Sequence, residues 1–196
     1  GRIAPRLGFP LVYTRRIASP LRRNPFSRVK YGSHRVARVI AISDTVRRAF
    51  LASSRYPADR VRVVPSGVAL ERFDSVEPDP ALRNLAGRGV LLGGIGKLSA
   101  KKNWSFLLQV AANLRRIDGR PLRWVIAGDG PRRALLEREI AGLGLRDSVT
   151  LLGFRADGDR VLKSLDLLFF PSIAEGAGVT VLESMALGVP VVAVNS

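Results

Sequence analysis

An α/β fold, with a parallel sheet covered by helices on both faces, is what this 196-residue sequence predicts. Three observations carry the expectation. Its strand-like segments are apolar along their whole length, as strands buried on both sides must be. They alternate with segments of helical periodicity. Glycines cluster where strands give way to helices, the place where open α/β sheets hold ligands.

Taken in order, Gly8-Phe9-Pro10-Leu11-Val12-Tyr13-Thr14 reads as a short strand entered through a proline. A basic stretch from Arg15 to Arg35 follows, and Val36 to Ile42 is a strand rich in β-branched residues. Ser43-Asp44 is expected to cap a helix reaching about Ser53, with Val46, Ala49 and Phe50 on one face. Val61 to Val64 is a further strand, closed by Pro65-Ser66-Gly67. Residues 69–80 are acidic and contain two prolines, as a linker would. The expected organisation is therefore a first α/β remnant over 1–68, a linker over 69–80, and a second Rossmann-like unit over 81–196.

The second alternation starts at Gly89. Val90-Leu91-Leu92-Gly93-Gly94 is a strand, Asn103 to about Arg116 a helix, and Leu122 to Ala127 a strand ending in Gly128-Asp129-Gly130. Pro131 is expected in the first turn of a helix that ends near Gly142, where its missing N–H costs nothing. Val149 to Leu152 is a strand, Asp159 to Ser164 a short helix, and Leu167 to Phe170 a strand. Val179 to Leu187 is a helix stopped by Gly188, and Pro190 to Val194 a final strand. The chain opens on Gly1, not Met, and closes on what reads as a strand, so both termini are expected to be cuts.

Composition excludes several chemistries. There is no cysteine and a single histidine, His34, which leaves no material for disulfides, thiolate sites or a histidine pair. No apolar run is long enough to cross a membrane, and no signal peptide is visible. The net charge of +16 is uneven: residues 1–60 hold fourteen Lys or Arg against only Asp44 and Asp59. That imbalance suits an anionic partner (nucleic acid, acidic lipid or a phosphorylated substrate) and equally suits a solvated arginine-rich surface.

The most informative stretch runs from Pro171 to Pro190. A buried strand ends there and a helix begins, with Gly176 and Gly178 in the connection. Such glycines let a ligand approach the backbone, and the first helical turn, at Val179 and Thr180, offers unpaired N–H groups and a positive dipole end to an anion. Glu175 and Glu183 flank that turn; read alone, they are equally a helix cap and a solvated carboxylate. A second group, Gly96-Lys97-Leu98-Ser99-Ala100-Lys101-Lys102-Asn103, follows the first strand of the same unit. Cations at a helix start oppose the dipole, so a solvated role explains Lys102 poorly.

The spacing of Glu175 and Glu183, with Pro-Ser before them and Glu-Ser-Met-Ala-Leu-Gly-Val-Pro after, resembles the Glu-x7-Glu signature of retaining GT-B glycosyltransferases of family 4. Gly96-Lys97-Leu98 to Lys102 is similar to that family's diphosphate-binding motif, with Lys97 where an arginine is usual; the charge is kept and the two-pronged fork is lost. Ile126 to Pro131, Val149 to Phe154, Arg38 to Ser43 and Val63 to Phe73 extend the resemblance over nearly the whole chain. It implies a GT-B fold and sugar transfer from a nucleotide diphosphate donor (a UDP-, GDP- or ADP-sugar) with retained anomeric configuration. No metal and no other cofactor is expected. By the resemblance, Glu175 orients the donor sugar and is the catalytic residue. Gly96, Lys97, Lys102, Gly176, Gly178, Val179 and Thr180 bind the donor, with the two lysines and the helix N-terminus after Gly178 on the diphosphate, and Glu183 holds the ribose. Gly128, Gly153 and Phe154 lie by the nucleobase. The acceptor is expected to be a carbohydrate or lipid-linked sugar in cell-envelope, lipopolysaccharide or glycolipid synthesis. The setting is expected to be cytoplasmic, with peripheral contact to anionic lipid at the inner face of the cytoplasmic membrane. This chain alone is expected to be inactive.

Two other classes compete: a basic α/β module binding nucleic acid through residues 1–60, and a sugar-nucleotide binder without catalysis. Few aromatics (Phe26, Tyr31) accompany the basic stretch, so base stacking has little support and nucleic acid is not the expected partner. Asp157-Gly158-Asp159 has metal-binding spacing but is read as helix capping. Gly94-Ile95-Gly96 opens a dinucleotide fingerprint that Ser99 breaks. No Gly-x-Ser-x-Gly elbow exists. His34 is read as a surface residue.

Overall fold

The computed structural model describes residues 9–19, 21, 36–173 and 175–195. His34, Phe26, Tyr31 and most of the basic stretch lie outside the described residues. Among the described residues, no helix is long and apolar enough to cross a membrane. The chain divides into two compact units, residues 1–67 with Glu175–Gly178, and Val68–Ala174 with Val179–Ser196.

The first unit carries a three-stranded parallel sheet in the order β1 (Leu11–Arg15), β2 (Val36–Ala41), β3 (Val61–Val63). Helix α1 (Asp44–Ser53) starts where the sequence places it, with the Ser43 hydroxyl accepting from the Val46 N–H at 3.2 Å. Its Val46 and Phe50 are fully buried with Val36, Val39 and Ala41, and the Tyr56 hydroxyl donates to the Val36 carbonyl at 2.8 Å.

The second unit opens with residues expected as a linker. They carry a 3-10 turn, Leu70–Phe73, and bury Phe73. Helix α2 (Pro80–Ala86), absent from the sequence reading, follows an Asp79 cap with proline at its first turn. The sheet then holds β4 (Val90–Ile95), β5 (Arg116–Ile117), β6 (Arg120–Ala127), β7 (Val149–Gly153), β8 (Leu167–Phe170) and β9 (Val191–Ala193). Its parallel strands run β7-β6-β4-β8-β9, and β5 adds a short antiparallel hairpin to β6. Helices α3 (Trp104–Asn113), α4 (Arg133–Gly142), α5 (Gly158–Ser164) and α6 (Val179–Ala186) complete the unit.

Side chains alternate between two cores, as a two-faced sheet requires. Leu92, Leu122, Trp124 and Ile126 join α3 and α4 on one face; Leu91, Val125 and Ala127 join α2, α5 and Phe73 on the other. Burying each large apolar side chain contributes roughly 1.5–3 kcal/mol, and neither face could stay uncovered.

The first strand begins at Leu11, not Gly8, and two expected helix boundaries move by more than one residue. Helix α3 stops at Asn113 because Asp118-Gly119, both at positive φ (48° and 76°), turns the chain into the β5–β6 hairpin. Pro131 lies ahead of α4, which begins at Arg133, because Leu98 holds that connection: its N–H donates to the Asp129 carbonyl, and its carbonyl accepts from the Arg132 N–H.

Candidate functional site

Strand β4 is where the sheet changes direction: the chain proceeds from it to β6 and β7 on one side, while β8 and β9 lie on the other. The crevice beyond the ends of β4 and β8 is therefore the expected ligand position.

The loop after β4 is built rigidly. The Gly96 N–H donates to the Ala127 carbonyl at 2.9 Å, and the Trp104 indole donates to the Lys97 carbonyl at 3.1 Å. Lys102 ends a 3-10 turn, Ala100–Lys102. Its stem packs on Gly96, where an added Cβ would stand 3.2 Å from the Lys102 Cε. Its ammonium sits over the Phe170 ring, 5.1 Å from the centroid, so the charge is held at the switch point between β4 and β8. Asn103 then takes a left-handed conformation, φ 52°, to turn the chain into α3.

A cavity of about 270 Å³ opens where β4, β6 and β7 end, lined by Gly96 and Lys97, Gly128 and Asp129, Phe154 and Arg155. Gly128 is required by packing: at φ 144° an added Cβ would lie 2.0 Å from the Gly96 carbonyl oxygen, while its N–H donates to the Gly153 carbonyl at 2.7 Å. Gly96, Lys97, Gly128 and Phe154 thus share one cavity. Gly153 fixes its wall through that hydrogen bond, and Phe154 is 78% exposed.

Val179 and Thr180 form the first turn of α6, and Glu183 lies one turn further, half-buried. Burial pushes the Glu183 carboxyl above its ordinary range; Arg72 opposes the shift and Asp159 adds to it. Glu175, Gly176 and Gly178 belong to the other compact unit. There an added Cβ on Gly176 would meet the Arg16 carbonyl oxygen at 2.2 Å, and Ala177 packs on that unit's core. Gly176 was expected to admit a ligand; what its bare Cα admits is protein backbone. Gly178, φ 57°, supplies the left-handed step before α6.

Asp157 corrects another expectation. Its carboxylate does not cap α5; it grips Arg155 at 2.6 and 2.7 Å, because a charge-assisted pair outcompetes a helix N–H. The guanidinium holds the Asp157 carboxyl down to about 2. Among the described residues, no group of three His, Cys, Asp or Glu could hold a metal ion. Nothing local in the sequence signals the roles of Asp79, Trp104 and Phe170, or of Arg155 beyond its Arg-x-Asp spacing.

By comparison with solved proteins, the fold is of one class, that of the GT-B glycosyltransferases. HepE of Anabaena, crystallised with UDP and glucose, is 27% identical with a TM-score of 0.79, over 95% of this chain and 53% of that one. Residues 83–196 match the family Glycosyl transferases group 1, and residues 1–72 match Glycosyltransferase Family 4. The chain belongs to the glycosyl transferases group 1 family. Among sequence relatives, the α-D-kanosaminyltransferase of Streptomyces kanamyceticus is 31% identical over 95% of this chain and 53% of its own length. The α-monoglucosyldiacylglycerol synthase of Streptococcus pneumoniae is 31% identical over 82% of this chain and 38% of its own length. The chain spans about half the length of these relatives, or less.

Proposed function

We propose that this chain supplies the donor-binding part of an enzyme that moves a sugar from a nucleoside diphosphate to an acceptor, with retention of anomeric configuration. The observation that carries it is the fixed cationic loop at the switch point: Lys97 lines the cavity and Lys102 is held beside it, over Gly96 and Phe170.

Departure of a nucleoside diphosphate builds negative charge on the β-phosphate, and preorganised cations stabilise it without reorganising. In this reading Lys97, Lys102 and the α6 N-terminus at Val179 and Thr180 take that role, with no resident metal. Glu183 accepts hydrogen bonds from the ribose hydroxyls, which an ionised carboxylate can do in pairs. Glu175 orients the donor sugar, with Gly176 and Gly178 shaping its loop, and Gly128, Gly153 and Phe154 bound the base. The likeness to HepE, crystallised with UDP, makes uridine diphosphate the first probe. A relative named α-monoglucosyldiacylglycerol synthase supports a carbohydrate or lipid-linked acceptor. We place the enzyme on the cytoplasmic side of an anionic membrane as part of the same proposal.

The test is thermal shift and titration calorimetry of this chain with UDP, GDP and ADP. A shift with one nucleotide that Glu183→Ala or Lys97→Ala removes supports the assignment. Equal shifts in wild type and both variants sink it. Retention is read from the anomeric signals of the product made by a longer protein carrying this chain. Vesicles with and without anionic lipid test membrane contact.

A further inference from the structure

Arg155 lines the cavity, yet its charge is already spent. Its Nη2 donates to Asp79 Oδ2 at 2.7 Å and to Asp157 Oδ2 at 2.6 Å, and its Nε donates to Asp157 Oδ1 at 2.7 Å. The Arg155 and Asp79 side chains are only 26% and 14% exposed, so water screens this pair less than a surface bridge. Two carboxylates on one guanidinium leave the cluster net anionic, and a diphosphate would gain nothing there.

The far end of the clamp is anchored as firmly. The Asp79 N–H donates to the Ser164 hydroxyl at 2.7 Å, and Asp79 Oδ1 accepts from the Ala81 N–H at 2.9 Å. Ser164 is fully buried and donates to the Arg160 carbonyl at 2.8 Å, tying the cap of α2 to the body of α5. A continuous chain of hydrogen bonds therefore runs from α5 through Asp79 and Arg155 to Asp157, across the loop that carries Phe154.

We propose that Arg155 is a positioning residue for the nucleobase: it locks the 153–157 wall of the cavity to the Asp79 anchor and takes no part in holding phosphate. The inference rests on the reading of the cavity as a nucleotide site. It assigns the two ends of that cavity to different chemistry, a cationic end at Lys97 for phosphate and an end at Arg155 that carries no free positive charge and suits a neutral base.

The test measures binding of UDP, GDP, ADP and inorganic pyrophosphate to the 196-residue chain by calorimetry, with wild type, Arg155→Gln, Arg155→Lys and Asp79→Asn. Arg155→Gln is expected to weaken the preferred nucleotide about tenfold, to narrow the differences among the three bases, and to leave pyrophosphate unchanged. Arg155→Lys, which cannot grip two carboxylates with a planar fork, restores only part of the preference. Asp79→Asn moves the same way by a smaller factor. Loss of pyrophosphate binding in step with nucleotide would make Arg155 a phosphate cation and overturn the proposal. Unchanged base preference in Arg155→Gln would overturn it as well. Should Arg155→Gln fail to fold by circular dichroism, Asp79→Asn decides alone, and an unaltered preference there is fatal. A wild-type chain that binds nucleotides without any base preference overturns the clamp but spares the site; one that binds neither nucleotide nor pyrophosphate overturns the site itself.

Discussion

Two glycine-bearing loops that follow buried strands of the second sheet differ in what holds them. The loop after β4, Gly96 to Lys102, is held within its own unit by the Trp104 indole, the Ala127 carbonyl and the Phe170 ring. The loop after β8 leaves that unit at Glu175–Gly178, and its Gly176 lies against the Arg16 carbonyl. A glycine marks a close approach, but the sequence does not say of what. At Gly128 and Gly176 it is protein backbone.

The strongest way to break the comparison is Gly128→Ala. The new methyl would sit 2.0 Å from the Gly96 oxygen at a φ of 144°, so backbone must move. Overpacking of this kind costs about 1–3 kcal/mol, and the cavity wall moves with it. Denaturant unfolding should show the loss, and calorimetry should show no remaining nucleotide binding. Gly176→Ala creates a comparable clash, 2.2 Å from the Arg16 oxygen. If the two loops are independent, it lowers stability by about 1–3 kcal/mol while pyrophosphate binding stays intact. Equal loss of pyrophosphate binding in both variants would erase the distinction.

Glu183→Ala comes next: if its carboxylate grips the ribose diol as proposed, removing it costs roughly 1.5–3 kcal/mol, a ten- to hundredfold fall in nucleotide affinity. The same residue gives a pH signature. Its carboxyl is raised by burial, so its ionised form, the one proposed to accept from ribose, is lost at a higher pH than for an ordinary glutamate. Nucleotide affinity should fall as the pH drops through that raised range, and Glu183→Gln should flatten the profile. Fold stability runs in the opposite sense for this group: a raised carboxyl favours the folded state below its unfolded pKa and loses that contribution as pH rises. The smallest effect belongs to Asp157, held down to about 2 by Arg155. Its stabilising contribution is present above the ordinary aspartate range and disappears as pH falls towards 2, a loss that Asp157→Asn abolishes in an acid titration.

Local pattern carried much of this far. Ser43 and Val46 follow from capping and periodicity, and β8 from an unbroken apolar run, because these depend on neighbours along the chain. Asp118-Gly119 is an equally local signal, a hairpin turn that ends the helix before Arg116. The Asp79 anchor was not legible at all: Asp79 and Arg155 stand 76 positions apart, and nothing in either neighbourhood names the other.

The sequence by itself determined the α/β class and the order of the parallel strands' segments, and it named the lysines and glutamates proposed for the site, since periodicity and motif spacing are local and side-chain chemistry is intrinsic. Tertiary structure alone decided which glycines face backbone, which aspartates are spent on Arg155, and which unit claims Glu175–Gly178. Those are long-range contacts, set by how distant segments pack, and packing leaves no mark in the order of residues.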